Sequence, residues 1–107
     1  MSEHQAYSIP TWAELAEADP KAFLIWNGPD ESVPVERIDL AVTKAMTAQY
    51  ECFSVMFALP QGIHPAQGVY PLGGPDGQRW LLLMSPVLSE ADGRHVLEAV
   101  IHRKIQA

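Results

Sequence analysis

Apolar residues along the chain are grouped into short runs, separated by turns rich in Gly, Pro and Asp. Side chains of a strand alternate between two faces, so short apolar runs with alternation predict β-strands. Six such runs occur, at residues 22–27, 32–43, 52–59, 69–72, 80–87 and 95–105. Successive strands with short turns pair antiparallel, so residues 69–105 are expected to form a meander.

Two Asp-Gly pairs mark the turns of that meander. Asp76-Gly77 precedes the fifth run, and Asp92-Gly93 precedes the sixth. Both residue types tolerate positive φ, and the pair between apolar runs is a strong hairpin signal. We therefore expect the glycine, or its neighbour, to have positive φ at each turn.

The second run changes phase along its length. Val33 and Val35 have one parity, whereas Ile38, Leu40 and Val42 have the other. In a regular strand this change would move the apolar side chains to the opposite face. An extra residue in one strand restores a single buried side, so a bulge or bend is predicted near residues 36–37.

One short helix is predicted before the strands, over residues 11–19. Thr11 and Glu14 have the spacing of a capping box, and Pro20 disfavours helix at the residue before it. The apolar positions at helical spacing are Trp12, Leu15 and Ala16. A helix this short is stable only when it packs on something, and Trp12 is its expected anchor.

These elements predict one domain, residues 1–107, with a loose tail at 1–10, a helix at 11–19 and antiparallel β-structure at 22–105. The fold class is α+β and mostly β, with a strongly curled six-stranded antiparallel sheet or a closed barrel, since closure removes exposed strand edges. A flat sheet with the helix across one face is the competing architecture. The pattern does not decide between strand and helical turn for residues 44–49.

The fifth run is apolar on both faces. One face carries Leu81, Leu83 and Val87. The opposite face carries Trp80, Leu82 and Met84. A strand with one wet face would not place large apolar side chains on both sides, so something must cover the second set. Three alternatives would shield this second set from water: the N-terminal helix, a second copy or partner protein, or a small molecule in a barrel mouth. Trp80, Leu82 and Met84 are thus the candidate interaction or cavity face.

Charge and composition narrow the class of protein. The net charge is −6 and the seven Lys and Arg residues do not cluster, which argues against nucleic-acid binding. No basic region followed by an apolar stretch begins the chain, and the run 80–84 is far too short to cross a membrane. A cytoplasmic protein without membrane contact is expected.

No set of residues with catalytic or metal-binding spacing is found. His95 and His102 fall on opposite faces of one predicted strand, and His64 lies in a loop. Cys52 lies in an apolar run and is expected to be a small buried side chain. Ser54 and Ser85 lack a nucleophile context and are expected to be strand hydroxyls. We therefore predict no catalytic residue, no metal site, no cofactor and no enzymatic activity.

The second half of the chain resembles a known family. The residues that carry the resemblance are 53–57, 59–61, 67–72, 81–83, 86–87 and 97–100. It is similar to a family of small bacterial proteins classed as a domain of unknown function, some encoded near phage-tail-collar-like proteins. The family brings no assigned catalytic residues, so none are carried over to this chain. The apolar second face and the lack of a catalytic set favour a non-enzymatic protein-interaction module that binds itself or a hetero-partner. The resemblance extends this to an accessory of a phage-tail-like assembly; the alternative is a small barrel that binds an apolar small molecule.

Overall fold

The computed structural model describes residues 9–26, 30–43 and 50–104. Most of the predicted loose tail, residues 27–29 between the first two runs, the undecided segment 44–49 and the end of the last run lie outside these ranges. Helix α1 spans Trp12–Glu17, and six strands follow it. They are β1 (Phe23–Trp26), β2 (Ser32–Val42), β3 (Tyr50–Ala58), β4 (Gly68–Gly73), β5 (Arg79–Val87) and β6 (Val96–Lys104).

The six strands form a closed antiparallel barrel in the order β1-β2-β3-β6-β5-β4. Pairs between β1 and β4, Leu24↔Gly73 and Ile25↔Leu72, close it. The meander of β4, β5 and β6 is confirmed, and β6 pairs along its whole length with β3. Closure gives every strand a paired neighbour on each side over at least part of its length, which is the physical reason a barrel is favoured over the flat sheet.

The phase change in β2 is resolved by a bulge, as the sequence predicts. Arg37 pairs with Phe57, and Asp39 pairs with Met56, so Ile38 is the extra residue on β2. The bulge lies one residue beyond the predicted site. It allows Val33 and Leu40, which differ in parity, to pack against the same core.

Both predicted hairpin glycines have positive φ. Gly77 has φ 83° and Gly93 has φ 89°. This region of backbone space is costly for residues with a Cβ atom, so glycine is favoured at both turns. The prediction is confirmed.

The two ends of the barrel differ. At one end lie α1, the start of β1 and the β4–β5 turn; this is called the helix end. At the other lie the β3–β4 loop, residues 59–67, and the β5–β6 turn, residues 88–95; this is called the loop end.

Helix α1 is held on the helix end by Leu15 and by two charged side chains. The capping box of Thr11 and Glu14 is present, and Leu15 is fully buried in the core. The Trp12 N–H donates to Glu51 Oε2 at 3.1 Å. The guanidinium of Arg37 donates to the carbonyls of Leu15 and Ala18 at the other helix terminus. Backbone groups that the short helix leaves unpaired are thereby satisfied.

The prediction that Trp12 anchors the helix was wrong. Trp12 is 38% exposed, whereas Leu15 is 0% exposed. The cause is geometric, because Trp12 is the first helical residue and lies at the margin of the barrel. The fourth helical residue, Leu15, reaches the barrel interior.

Candidate functional site

The candidate face of β5 is turned into the barrel. Trp80, Leu82 and Met84 are 0%, 7% and 0% exposed and belong to the core cluster. Trp80 pairs with Leu72, which is also fully buried. The barrel interior itself is therefore the cover of these side chains, and they present no surface to a partner in this structure.

The other face of β5 contributes to an exposed apolar surface. Leu81 is 44% exposed and Leu83 58%, and on the flanking strands Val69 is 59% and Val100 70% exposed. Val69 and Leu83 are direct register partners. We call these four side chains the seam face. Val69, Leu83 and Leu81 are contiguous, because side chains opposite one another in antiparallel strands lie about 5 Å apart and alternate residues of one strand share a face. Val100 is exposed on β6, beyond the last β5–β6 register pair.

Strand pairing is incomplete beneath the seam face. The β5–β6 ladder has three pairs, from Ser85↔Glu98 to Val87↔Val96. Both strands continue toward the helix end, as residues 79–84 and 99–104, without a further β5–β6 register pair. Extending the register by two residues would place Leu83 opposite Val100. The edges that face each other there lack ladder partners, and unpaired edges are templates for added strands.

Polar residues border the seam face at both ends. Glu98 and Ser85 are half-buried and lie opposite each other toward the loop end. His102 is exposed on β6 toward the helix end. Arg79 stacks its guanidinium 3.9 Å from the ring centre of Trp26. An apolar centre with a polar border is typical of surfaces that contact other proteins.

A separate cavity of about 150 Å³ lies at the loop end. It is open to solvent on one side. Three strands form its walls and the β3–β4 loop forms its roof. The lining side chains are Ile25, Val33, Leu59, Ile63, His64, Pro65, Ala66 and Tyr70. All but His64 and the Tyr70 hydroxyl are apolar.

The roof of this cavity is attached to the barrel at several points. Tyr70 Oη donates to the Ala66 carbonyl at 2.5 Å, and the Leu59 N–H donates to the His95 carbonyl at 2.9 Å. Gln61 Nε2 donates to the Asp92 carbonyl at 2.5 Å. These bonds connect the loop to β4, to the start of β6 and to the β5–β6 turn. The cavity is thus preformed by the fold.

His64 and His95 meet at the loop end. Their ring centres are 4.5 Å apart, and His95 Nδ1 lies 3.4 Å from Ser89 Oγ. The sequence places His95 and His102 on one strand, but His95 immediately precedes β6 and packs against the loop instead. Within the described ranges, no three His, Cys, Asp or Glu side chains are grouped so that they could hold a metal ion.

Cys52 and the two strand serines lie on the barrel wall. Cys52 is half-buried rather than buried, because it has outward parity opposite the exposed His102. Ser54 and Ser85 are half-buried strand residues, opposite Val100 and Glu98. The expected burial of Cys52 was therefore wrong.

Charged side chains hold the β5–β6 turn against β2. Arg94 Nη1 donates to Glu36 Oε1 at 2.8 Å, and Arg94 Nε donates to Asp92 Oδ2 at 2.8 Å. The backbone N–H of Arg94 also donates to Asp92 Oδ1, and this bond, ahead of the Arg94 side chain, lowers the pKa of Asp92. These contacts attach the β5–β6 turn to β2.

The seam face and the cavity were both missed by the sequence reasoning. Both faces of β5 are apolar in sequence, and the prediction that Trp80, Leu82 and Met84 form the face in need of a cover left Leu81 and Leu83 on the other face. The cavity combines residues of β1, β2, β4 and a loop, between positions 25 and 70. The only signal for it is the apolar pair Ile63 and Pro65 inside a loop.

No helix in the described part of the chain is both long and apolar enough to cross a membrane. Comparison with curated proteins and with solved structures gives no match. A family match does exist, and it extends over residues 10–101, from the residue before the helix cap to the middle of β6. The chain therefore belongs to the family described as Domain of unknown function (DUF6916).

Proposed function

We propose that this chain is a non-enzymatic protein-interaction module that binds a partner protein through the seam face. The observation that carries the proposal is the group of four exposed apolar side chains, Val69, Leu81, Leu83 and Val100. Val69, Leu81 and Leu83 share the outer face of the β4–β5 pair, and Val100 is exposed on the facing strand β6. Exposed apolar groups with a polar border mark interaction surfaces.

The size of the seam face favours a reversible contact. Full burial of a Val or Leu side chain contributes about 1.5–3 kcal/mol, and these four are already partly covered. After the cost of association, a net binding free energy of roughly 4–8 kcal/mol is reasonable, equivalent to millimolar to micromolar affinity. The module would therefore dock and release, or act as one of several contacts in an assembly.

The partner that fits is an extended segment with alternating apolar side chains and basic flanks. The incomplete β5–β6 ladder offers backbone groups to an added strand, and alternate side chains of that strand would lie on Leu83 and Val100. The net charge of −6 favours a basic partner and opposes a second copy of the chain. The resemblance to proteins encoded near phage-tail-collar-like proteins extends the proposal to an accessory role in a phage-tail-like assembly.

Site-specific photo-cross-linking tests the proposal. Benzoylphenylalanine is placed at position 83 of the full chain in its source cells, and at position 42 as the matched control. Val42 is equally apolar, 73% exposed and outside the seam face. The expected result is a cross-link to a different protein from position 83 and not from position 42.

The cross-linked protein is then purified and titrated against variants of the chain. Leu83→Asp should weaken binding at least about tenfold by placing a charge in an apolar contact, whereas Val42→Asp should change it less than about twofold. A cross-link to a second copy would overturn the choice of partner. Equal cross-linking from both positions, or equal affinity of both variants, would overturn the proposed surface.

A further inference from the structure

We propose that the loop-end cavity is a binding site for a small neutral aromatic molecule with one hydrogen-bonding group. This site is independent of the seam face: it lies at an end of the barrel, and none of its lining residues belongs to the seam face. The two sites can therefore be tested separately.

The volume of the cavity limits the size of the ligand. The cavity measures about 150 Å³. An enclosed apolar cavity of that volume accepts benzene. This cavity is open on one side, so a single six-membered ring matches its volume and a larger ring system would extend through the opening.

The lining side chains favour a neutral ligand. Ile25, Val33 and Leu59 supply aliphatic walls, and no Lys or Arg side chain lines the cavity. A charged ligand would lose its hydration without gaining a counter-charge. The hydroxyl of Tyr70 is engaged with the Ala66 carbonyl, which leaves the imidazole of His64 as the polar group at the rim. One hydroxyl on the ligand, facing His64, matches that arrangement.

The cavity is preorganised by hydrogen bonds that hold its roof. The roof is attached through Tyr70, Leu59 and Gln61, and the ring of His64 packs on His95 at 4.5 Å. Ligand binding therefore orders little additional chain, so the entropic cost that usually weakens small ligands is low. A shaped cavity with a fixed roof is a feature that barrel stability alone does not require.

Titration of the full chain with phenol, toluene and benzoate, followed by amide chemical shifts in ¹H–¹⁵N spectra, tests the site. Phenol should give saturable shifts centred on the amides of Val33, Ile63 and Tyr70. Benzoate should bind at least about tenfold more weakly, because no cationic side chain lines the cavity. Replacement His64→Ala should remove the preference for phenol over toluene while toluene binding persists.

A filling variant and a matched control complete the experiment. Val33→Phe extends a ring into the cavity from β2 and should abolish the phenol shifts. Val42→Phe makes the same change at an exposed position of the same strand and should leave them intact. If Val33→Phe does not fold, the shift map of the unmodified chain decides. Absence of saturation, shifts centred outside the cavity, or benzoate binding equal to phenol would overturn the proposal.

Discussion

Two hairpin turns of this barrel each depend on a single glycine residue. Gly93 has φ 89°, and a Cβ atom there would meet only the end of the Gln61 side chain, at 3.7 Å. The choice of residue at position 93 is therefore restricted by the positive φ of the backbone and not by lack of space for a side chain. The same holds for Gly77, where no atom lies within 4 Å of a built Cβ.

Replacement Gly93→Val should lower the free energy of unfolding by about 1–3 kcal/mol, because a β-branched residue resists positive φ. Chemical denaturation measures the effect. Gly68→Val is the matched control. It lies in β4 without positive φ, its nearest neighbour is 4.0 Å from a built Cβ, and a strand favours valine. Equal losses in the two variants would contradict the conformational explanation.

The carboxyl of Asp92 should titrate below its usual range. The largest cause is the backbone N–H of Arg94, with the Arg94 side chain acting in the same direction. An NMR titration of the Asp92 carboxyl should therefore show a lowered pKa in the native chain and a pKa still below the usual range, although less so, in Arg94→Gln. A complete return to the usual value in Arg94→Gln would show that the charge, not the amide, is the cause.

The lowered pKa of Asp92 determines how its contribution to the stability of the fold changes with pH. The folded state binds the Asp92 proton less tightly than the unfolded state does, so ionised Asp92 stabilises the fold. That contribution is present above the usual Asp pKa and disappears as the pH falls through the lowered value. Asp92→Asn should flatten the acid limb of the stability curve in that window.

At the scale of elements, α1 illustrates how a short helix is retained. It has only six residues, too few to be stable alone, and its capping box satisfies only the first backbone groups. Glu51 and Arg37 hold its two termini, and Arg103 in turn holds Glu51 at 2.9 Å. Glu51 lies 39 residues from Trp12 in sequence, and Arg37 lies at least 19 residues from the carbonyls to which it donates. Local sequence pattern therefore does not predict these contacts.

Replacement Leu15→Ala should cost about 2–5 kcal/mol, the usual range for removing a fully buried leucine. Trp12→Ala is the comparison on the same helix. It should cost clearly less, because Trp12 is more than a third exposed. Denaturation midpoints of the two variants measure the order. A larger loss in Trp12→Ala would restore Trp12 as the anchor.

At the scale of the whole molecule, closure of the barrel decides which face of β5 is inside. Leu82→Asp places a charge in the core and should unfold the chain, since an unpaired buried charge costs several kcal/mol. Leu83→Asp, one residue away and 58% exposed, should leave the fold intact. Near-UV circular dichroism and chemical denaturation distinguish the two outcomes. A folded Leu82→Asp variant would contradict the assigned orientation of β5.

The sequence by itself determined the six strands, the short helix, the two glycine turns and the bulge. Each depends on local physics: side-chain alternation, capping, positive φ, and the cost of moving apolar side chains to the wet face. The phase change around Glu36 and Arg37 is readable because only an extra residue, Ile38, can correct it. These features therefore carry over from pattern to structure.

The tertiary structure decided the orientation of β5, the anchor of α1 and the position of the cavity. Both faces of β5 are apolar, so alternation defines two sets of side chains without saying which set is inside. Pairing of Trp80 with the buried Leu72, in a sheet that closes through β1 and β4, selects the inner set. The outer set becomes the seam face for the same reason. The cavity exists only where three strands and a loop from distant parts of the chain meet, and no local pattern encodes that meeting.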